Sequence, residues 1–266
     1  MAELLATIDT YLDAVARLAT RAEGIGPFTL FIREGPGWPF YARPRPGESR
    51  FTAEDVEAVL ARQRELGVPL SFEWVMERAP GLDHTLRSAG LVVRAHPLMV
   101  LRAADLVAPE PPPGTAIVAA TAEDELASMM AVAELGFASP GTAIGIGGTE
   151  ALPSAAEAID PGRVAIHRRR IESGRTVTIT AWQDGHPVAT GSHQPVGDVT
   201  EIVGVATLPA FRRRGLAAAV AASLAADAFA NGVQTAFLSA DDDTVARVYA
   251  RLGSRQIGHA GAAEPA

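Results

Sequence analysis

The octapeptide at residues 107–114, VAPEPPPG, limits the fold more than any other stretch. Its four prolines fix the backbone in an extended form, remove main-chain donors and forbid helix. The chain is therefore read as a lobe at residues 1–106, a linker at 107–114, a second lobe at 115–260 and a disordered tail at 261–266. Both lobes fall within ordinary domain sizes. With 48% hydrophobic and 20% charged residues, each lobe has the material for a buried core.

Composition then removes whole classes of chemistry. The net charge is −8, opposite in sign to that of nucleic-acid-binding domains and mildly favourable to cationic small substrates. There is no cysteine, which excludes disulfides, thiolate metal sites and a cysteine nucleophile. All 23 basic residues are arginine, so no Walker lysine, Schiff-base lysine or lysine general base exists. No apolar run reaches the length of a membrane span, and residues 1–20 do not read as a signal peptide. The expectation is a cytoplasmic protein with no nucleic-acid or membrane partner. The arginine bias suggests a bacterium with a GC-rich genome.

Residues 115–260 read as alternating elements. Strands are expected at 115–120, 176–182, 186–193, 200–208, 235–240 and 253–258, and helices at 123–135, 163–172, 216–230 and 243–252. The sum is a mixed β-sheet flanked by helices, an α/β fold. The first lobe repeats the end of this pattern. Gly67-Val68, a strand, a helix, Gly90 and a strand match Gly232-Val233, a strand, a helix, Gly253 and a strand, with Phe72 and Phe237 at the same offset. Phe72, Trp74 and Met76 read as one core face.

The informative run is Glu201 to Ala217, EIVGVATLPAFRRRGLA. A strand ends where Pro209 stops ladder pairing. Arg212-Arg213-Arg214-Gly215-Leu216-Ala217 then leads into a helix, whose first N–H groups and dipole form an anion site. Small Gly215 and Ala217 let a phosphate approach the main chain, and arginines add charge-assisted bonds. Without a lysine this is a cradle that holds a pyrophosphate without cleaving it. Gly145-Ile146-Gly147-Gly148 is no dinucleotide motif, because Glu150 stands where a glycine is needed and no strand precedes it. It reads as a mobile loop near the mouth of the site. His167 and Arg168 to Arg170 read as a charged helix face. Asp241-Asp242-Asp243 lacks the pattern of a calcium loop, and no metal site is expected.

Arg212-x-x-Gly215-x-Ala217 after a strand resembles the R/Q-x-x-G-x-G/A signature of the GNAT superfamily of N-acetyltransferases. Val248-Tyr249-Ala250-Arg251-Leu252-Gly253 is similar to a second segment of that family, with Ser254 in place of the usual phenylalanine. The resemblance covers the second lobe, and the repeat suggests a tandem GNAT arrangement with a degenerate first lobe. It implies acetyl-coenzyme A as cosubstrate. Main-chain groups of Val205, Ala206 and Thr207 would pair with the pantetheine arm, and those of Arg213 to Ala217 would bind the pyrophosphate. A strand N–H near Val205 would polarise the thioester carbonyl. Asp242 falls where the family often places an asparagine near the cofactor. Glu201, placed by strand alternation on the face of Val205, is the candidate base, and Tyr249 the candidate acid. His193 is a candidate for the acceptor pocket, or alternatively a structural residue. The expected activity is direct acetyl transfer to a small primary amine by a monomer or homodimer. A non-catalytic acyl-coenzyme A sensor and an enzyme acting on a protein amine are the alternatives. The first lobe has Leu86 at the position of Tyr249 and no glycine-rich turn, so it should not bind the donor.

Overall fold

The structure, a computed structural model, describes residues 1–36 and 41–266, and its elements fall into two compact units. The first comprises residues 1–99, 239–243 and 256–266; the second comprises residues 100–238 and 244–255. No helix among the described residues is long and apolar enough to cross a membrane.

In chain order the first part holds α1 (Ala2–Arg17), β1 (Thr20–Ile25), β2 (Phe28–Arg33), β3 (Ala42–Pro44), α2 (Ala53–Leu66), β4 (Phe72–Val75), α3 (Leu82–Ser88) and β5 (Val92–Leu101). There follow β6 (Ala116–Ala119), α4 (Leu126–Phe137), α5 (Leu152–Glu157), α6 (Pro161–Glu172), β7 (Val177–Gln183), β8 (His186–Val196) and β9 (Val199–Thr207). The chain closes with α7 (Leu216–Ala230), β10 (Thr235–Ser239), α8 (Asp243–Ala250) and β11 (Arg255–Glu264).

The sheet of the first unit runs β1-β2-β3-β4-β11-β5. Its hairpins are antiparallel, but β3 runs parallel to β4. Phe28, Phe72 and Trp74 are buried with Leu60, Leu82 and Leu86, and the Phe28 and Phe72 rings meet edge-on at 5.5 Å. Each such burial contributes about 2 kcal/mol. Within this core Arg43 and Asp9 are buried together at 3.4 Å, and burial raises the Asp9 carboxyl's pKa against the pull of Arg43.

The expected frayed tail is absent. Residues 260–263 pair antiparallel with β4, from Ala260↔Val75 to Ala263↔Phe72. The small residues there are a packing requirement, because a Cβ on Gly261 would lie 2.5 Å from the Trp74 indole. The C-terminal segment thus belongs to the first unit, which the linear division at residues 107–114 does not anticipate.

In the second unit the order is β10-β9-β8-β7-β6, with β9 and β10 parallel and the other pairs antiparallel. The sheet is mixed and flanked by helices, as the sequence indicates. The internal repeat is visible in hydrogen bonds. After α2, Gly67 N–H bonds Arg64 O and Val68 N–H bonds Gln63 O; after α7, Gly232 N–H bonds Phe229 O and Val233 N–H bonds Ala228 O. Likewise Leu91 N–H closes on Leu86 O and Ser254 N–H on Tyr249 O, so Leu86 and Tyr249 are structural counterparts.

Candidate active site

The site is built along one strand, one turn and one helix. β8 pairs with β9 from Val196↔Val199 to Ala189↔Thr207. β10 pairs with β9 only at Val199, Thr200 and Glu201. Beyond Glu201, β9 therefore has no strand on its second edge among the described residues. Its main chain from Ile202 to Thr207 is a free edge of the kind that accepts an extended ligand. Glu201 stands where β9 and β10 part.

A bulge lies on this edge. The register passes from Ser192↔Val203 to Thr190↔Ala206, so Gly191 alone faces both Gly204 and Val205. Gly204 has φ +65°, which glycine adopts without Cβ strain. The extra residue changes which way side chains point. Glu201, Val203 and Ala206 pair with Gln194, Ser192 and Thr190, all on one face. That face carries α4 and α6: Arg170 of α6 donates to Gln194 at 2.8 Å, and a Cβ on Gly136 of α4 would lie 2.9 Å from Ala206 Cβ. Val205 lies on the other face, against α7, where its Cγ2 and Leu224 Cδ1 crowd Gly191. The expectation that Glu201 and Val205 share a face is thus corrected, because strand alternation fails across a bulge. A glycine between two valines inside a strand was the available signal.

The turn after β9 is closed by the Phe211 N–H to Leu208 O bond at 2.9 Å. Arg213 and Gly215 take φ of +64° and +84°, and α7 starts at Leu216. No side chain caps this start. The N–H groups of Arg213 to Ala217 find no backbone carbonyl among the described residues, as the first turn of a helix dictates. The corresponding helix of the first unit is sealed. Thr52 Oγ1 accepts the Asp55 N–H at 3.1 Å, and the Asp55 carboxylate accepts the Thr52 N–H at 2.9 Å. An anion there would meet a carboxylate.

The three arginines separate. Arg214 stacks over Phe211 at 4.9 Å and donates to Ala210 O. Arg213 is exposed. Arg212 turns inward, and its guanidinium donates to Gly136 O at 2.7 Å, Ser139 O at 2.6 Å and Ala143 O at 3.2 Å. Its own N–H reaches Pro209 O at 3.4 Å. The side-chain phosphate contact expected of Arg212 is therefore not available in this arrangement.

Thr207 Oγ1 is buried without a hydrogen-bond partner among the described residues, an orphan that a polar ligand group would satisfy. Tyr249 is buried on α8, and burial pushes its hydroxyl up to about 12. Leu216 is buried and Ala217 half-buried at the start of α7. Asp242 immediately precedes α8 and falls in the first unit with residues 239–243.

His193 is fully engaged. Its Nδ1 lies 3.0 Å from Thr200 Oγ1 and its Nε2 3.0 Å from Asp227 Oδ2 on α7. Burial lowers its pKa, with Asp227 pulling the other way. It locks α7 to the sheet rather than facing an open pocket. His167 departs from the expected charged helix face: Nε2 meets Thr178 Oγ1 at 3.0 Å, and that hydroxyl meets Ser192 Oγ at 2.8 Å. Burial and the nearby Arg170 lower its pKa to about 4. Among the described residues no group of three metal-ligating side chains occurs.

Comparison with known proteins bears on this arrangement. Residues 149–253 match the acetyltransferase (GNAT) family. Over 98% of this chain and 96% of the other, the fold is similar to a GCN5-related N-acetyltransferase from Kribbella flavida, with 26% identity and a TM-score of 0.73. A GCN5-related N-acetyltransferase-like protein from Streptococcus suis is similar at 11% identity and a TM-score of 0.56, covering 94% of this chain and 92% of that one. A tandem GNAT protein from the clavulanic acid biosynthesis pathway is similar at 15% identity and a TM-score of 0.55, over 89% and 78%. No match was found among the curated proteins. The chain carries a domain of the GNAT acetyltransferase family at residues 149–253.

Proposed function

We propose that this chain moves an acetyl group from acetyl-coenzyme A to a small primary amine by direct transfer. The observation that carries the reading is the fork between β9 and β10, whose free β9 edge runs into the uncapped start of α7. The edge suits the amide-bearing pantetheine arm as an added strand. The N–H groups of Arg213 to Ala217, with exposed Arg213 beside them, suit its pyrophosphate. The orphan Thr207 hydroxyl adds a polar contact on the same edge. The bulge interrupts regular pairing with β8 at Gly204 and Val205, which suits a main-chain N–H there to polarise the thioester carbonyl.

The chemistry is assigned to Glu201, where β9 and β10 part, and to Tyr249 on α8. An amine arriving as ammonium gives one proton to Glu201 and attacks the carbonyl carbon. The N–C bond forms and the C–S bond breaks. The nitrogen's second proton balances the one taken up by the sulfur. A hydroxyl near 12 is a weaker acid than a thiol near 8.5. Tyr249 therefore assists by donating a hydrogen bond to the sulfur as charge develops there. No covalent enzyme intermediate is needed, which agrees with a chain lacking cysteine and lysine.

Isothermal titration with coenzyme A, and with NAD as control, tests the reading. Binding of coenzyme A alone, with acetylation of simple primary amines when acetyl-coenzyme A is supplied, is the expected result. Binding of NAD in its place would overturn it.

A further inference from the structure

The sheet of the first unit gives one face to its apolar core, which takes Ala42, Phe72, Trp74, Val93 and Ala263. Strand alternation sends Arg43, Glu73, Arg94, His96 and Glu264 to the other face. Ala262, which pairs with Glu73, joins them there. Because β3, β4, β11 and β5 are neighbours in that order, this face carries a row of long charged side chains with one methyl group in its midst. The methyl leaves a hollow. It is a cleft of about 300 Å³ whose lining includes Glu73, Arg94, His96, Asp241, Ala262 and Glu264.

Charge in the cleft is unbalanced. Arg43 is buried and bonded to Asp9, and Arg94 is paired with Glu264. Among the described residues no arginine is bonded to Glu73 or Asp241. Glu73 is half-buried, and burial raises its carboxyl's pKa against the pull of Arg43, a hydrogen bond from Tyr41 and the charge of His96. His96 supplies a further acceptor. Its Nδ1 lies 3.0 Å from Asp241 O. A carbonyl only accepts, so Nδ1 carries the proton and Nε2 of the neutral ring keeps a lone pair. The cleft is therefore rich in acceptors, and its one guanidinium is already engaged.

We propose that this cleft in the first unit binds a small primary ammonium ion, at a site none of whose residues takes part in the acetyl transfer proposed above. Such an ion brings three N–H donors for the Glu73 and Asp241 carboxylates and His96 Nε2. Its charge offsets theirs through charge-assisted bonds. The volume admits a short alkyl stem, which would lie over the Ala262 methyl. The proposal stands apart from the donor reading and holds whether or not the second unit binds coenzyme A.

Calorimetry of the whole protein, without acetyl-coenzyme A, tests this with butylammonium, tetramethylammonium, butyrate and magnesium as probes. Butylammonium should bind the natural protein. Tetramethylammonium has the charge but no N–H donor, and should bind at least about tenfold more weakly. Glu73→Gln keeps the shape and an oxygen for the Tyr41 hydroxyl, and should weaken butylammonium at least about tenfold. Asp241 is exposed, so Asp241→Asn is the second variant should Glu73→Gln fail to fold, under the same criterion. Glu201→Gln should leave this binding within about threefold. No binding of butylammonium at millimolar concentration would overturn the proposal. So would preference for butyrate, magnesium or tetramethylammonium, or an affinity that survives both Glu73→Gln and Asp241→Asn. If Glu201→Gln alone abolishes binding, the amine sits at the proposed acceptor side; this inference then fails while the acetyl-transfer reading stands.

Discussion

Glu201 and Val205 lie on opposite faces of β9, although four residues apart in one strand, because Gly204 adds a residue between them. The division suits the reaction proposed. Val205 contributes main chain along the strand edge, so its side chain is free to pack under α7. Glu201 would present its carboxylate to the face from which the proposed amine comes.

Glu201→Gln removes a proton acceptor and keeps the shape. At neutral pH kcat should fall about a hundredfold. The deficit should shrink as pH rises towards the amine's own pKa, near 10, where the free base is supplied by the solvent. Rate–pH profiles of both proteins check this. A deficit constant across pH would assign Glu201 a role other than base.

Tyr249→Phe deletes one hydroxyl from a buried ring. Leu86, its counterpart in the first unit, shows that the position packs without a polar atom. Thermal stability should change by less than about 1 kcal/mol. Turnover should fall about tenfold to a thousandfold with donor affinity unchanged. Unaltered turnover with a good amine would remove Tyr249 from the chemistry.

Gly215→Glu places a carboxylate at the uncapped start of α7. There is room for it, since a Cβ at Gly215 meets nothing within 4 Å. The cost to the fold is backbone strain at φ +84°, about 1 to 2 kcal/mol. Coenzyme A affinity should fall at least about a hundredfold, because the charge repels phosphate from the amides. Calorimetry paired with circular dichroism separates the two effects, and retained affinity would place the phosphates elsewhere.

His167 makes acid sensitivity measurable. Its folded pKa is lowered from 6.5 to about 4, so the unfolded chain binds the proton first as pH falls. The contribution is complete above pH 6.5, declines as pH drops through the interval, and is gone near pH 4. It amounts to about 3 kcal/mol at most. His193 acts in the same direction, its pKa lowered by burial. His167→Gln should flatten the fall in melting temperature between pH 6.5 and 4, and an unchanged slope would show that His167 titrates freely in the folded protein.

Much of the second unit was legible because its signals are local. α7 runs from Leu216 to Ala230 as expected, set between Gly215 and Asn231-Gly232. Pro209 ends β9 as it must. What escaped depended on partners distant in sequence. The bulge appears only when β8 is laid beside β9. The direction of the Arg212 side chain depends on where α4 ends. His167 looks solvated among arginines until β7 offers it Thr178. Residues 260–263 look unstructured until Trp74 explains their smallness.

That last pairing has a consequence for how the chain is made. Residues 72–75 leave the ribosome well before residues 260–263, the stretch they bond to. Until then β4 waits with one edge bare, exposed to other nascent chains. A stop codon or protease cut near residue 255 would therefore injure the unit built mainly from residues 1–99.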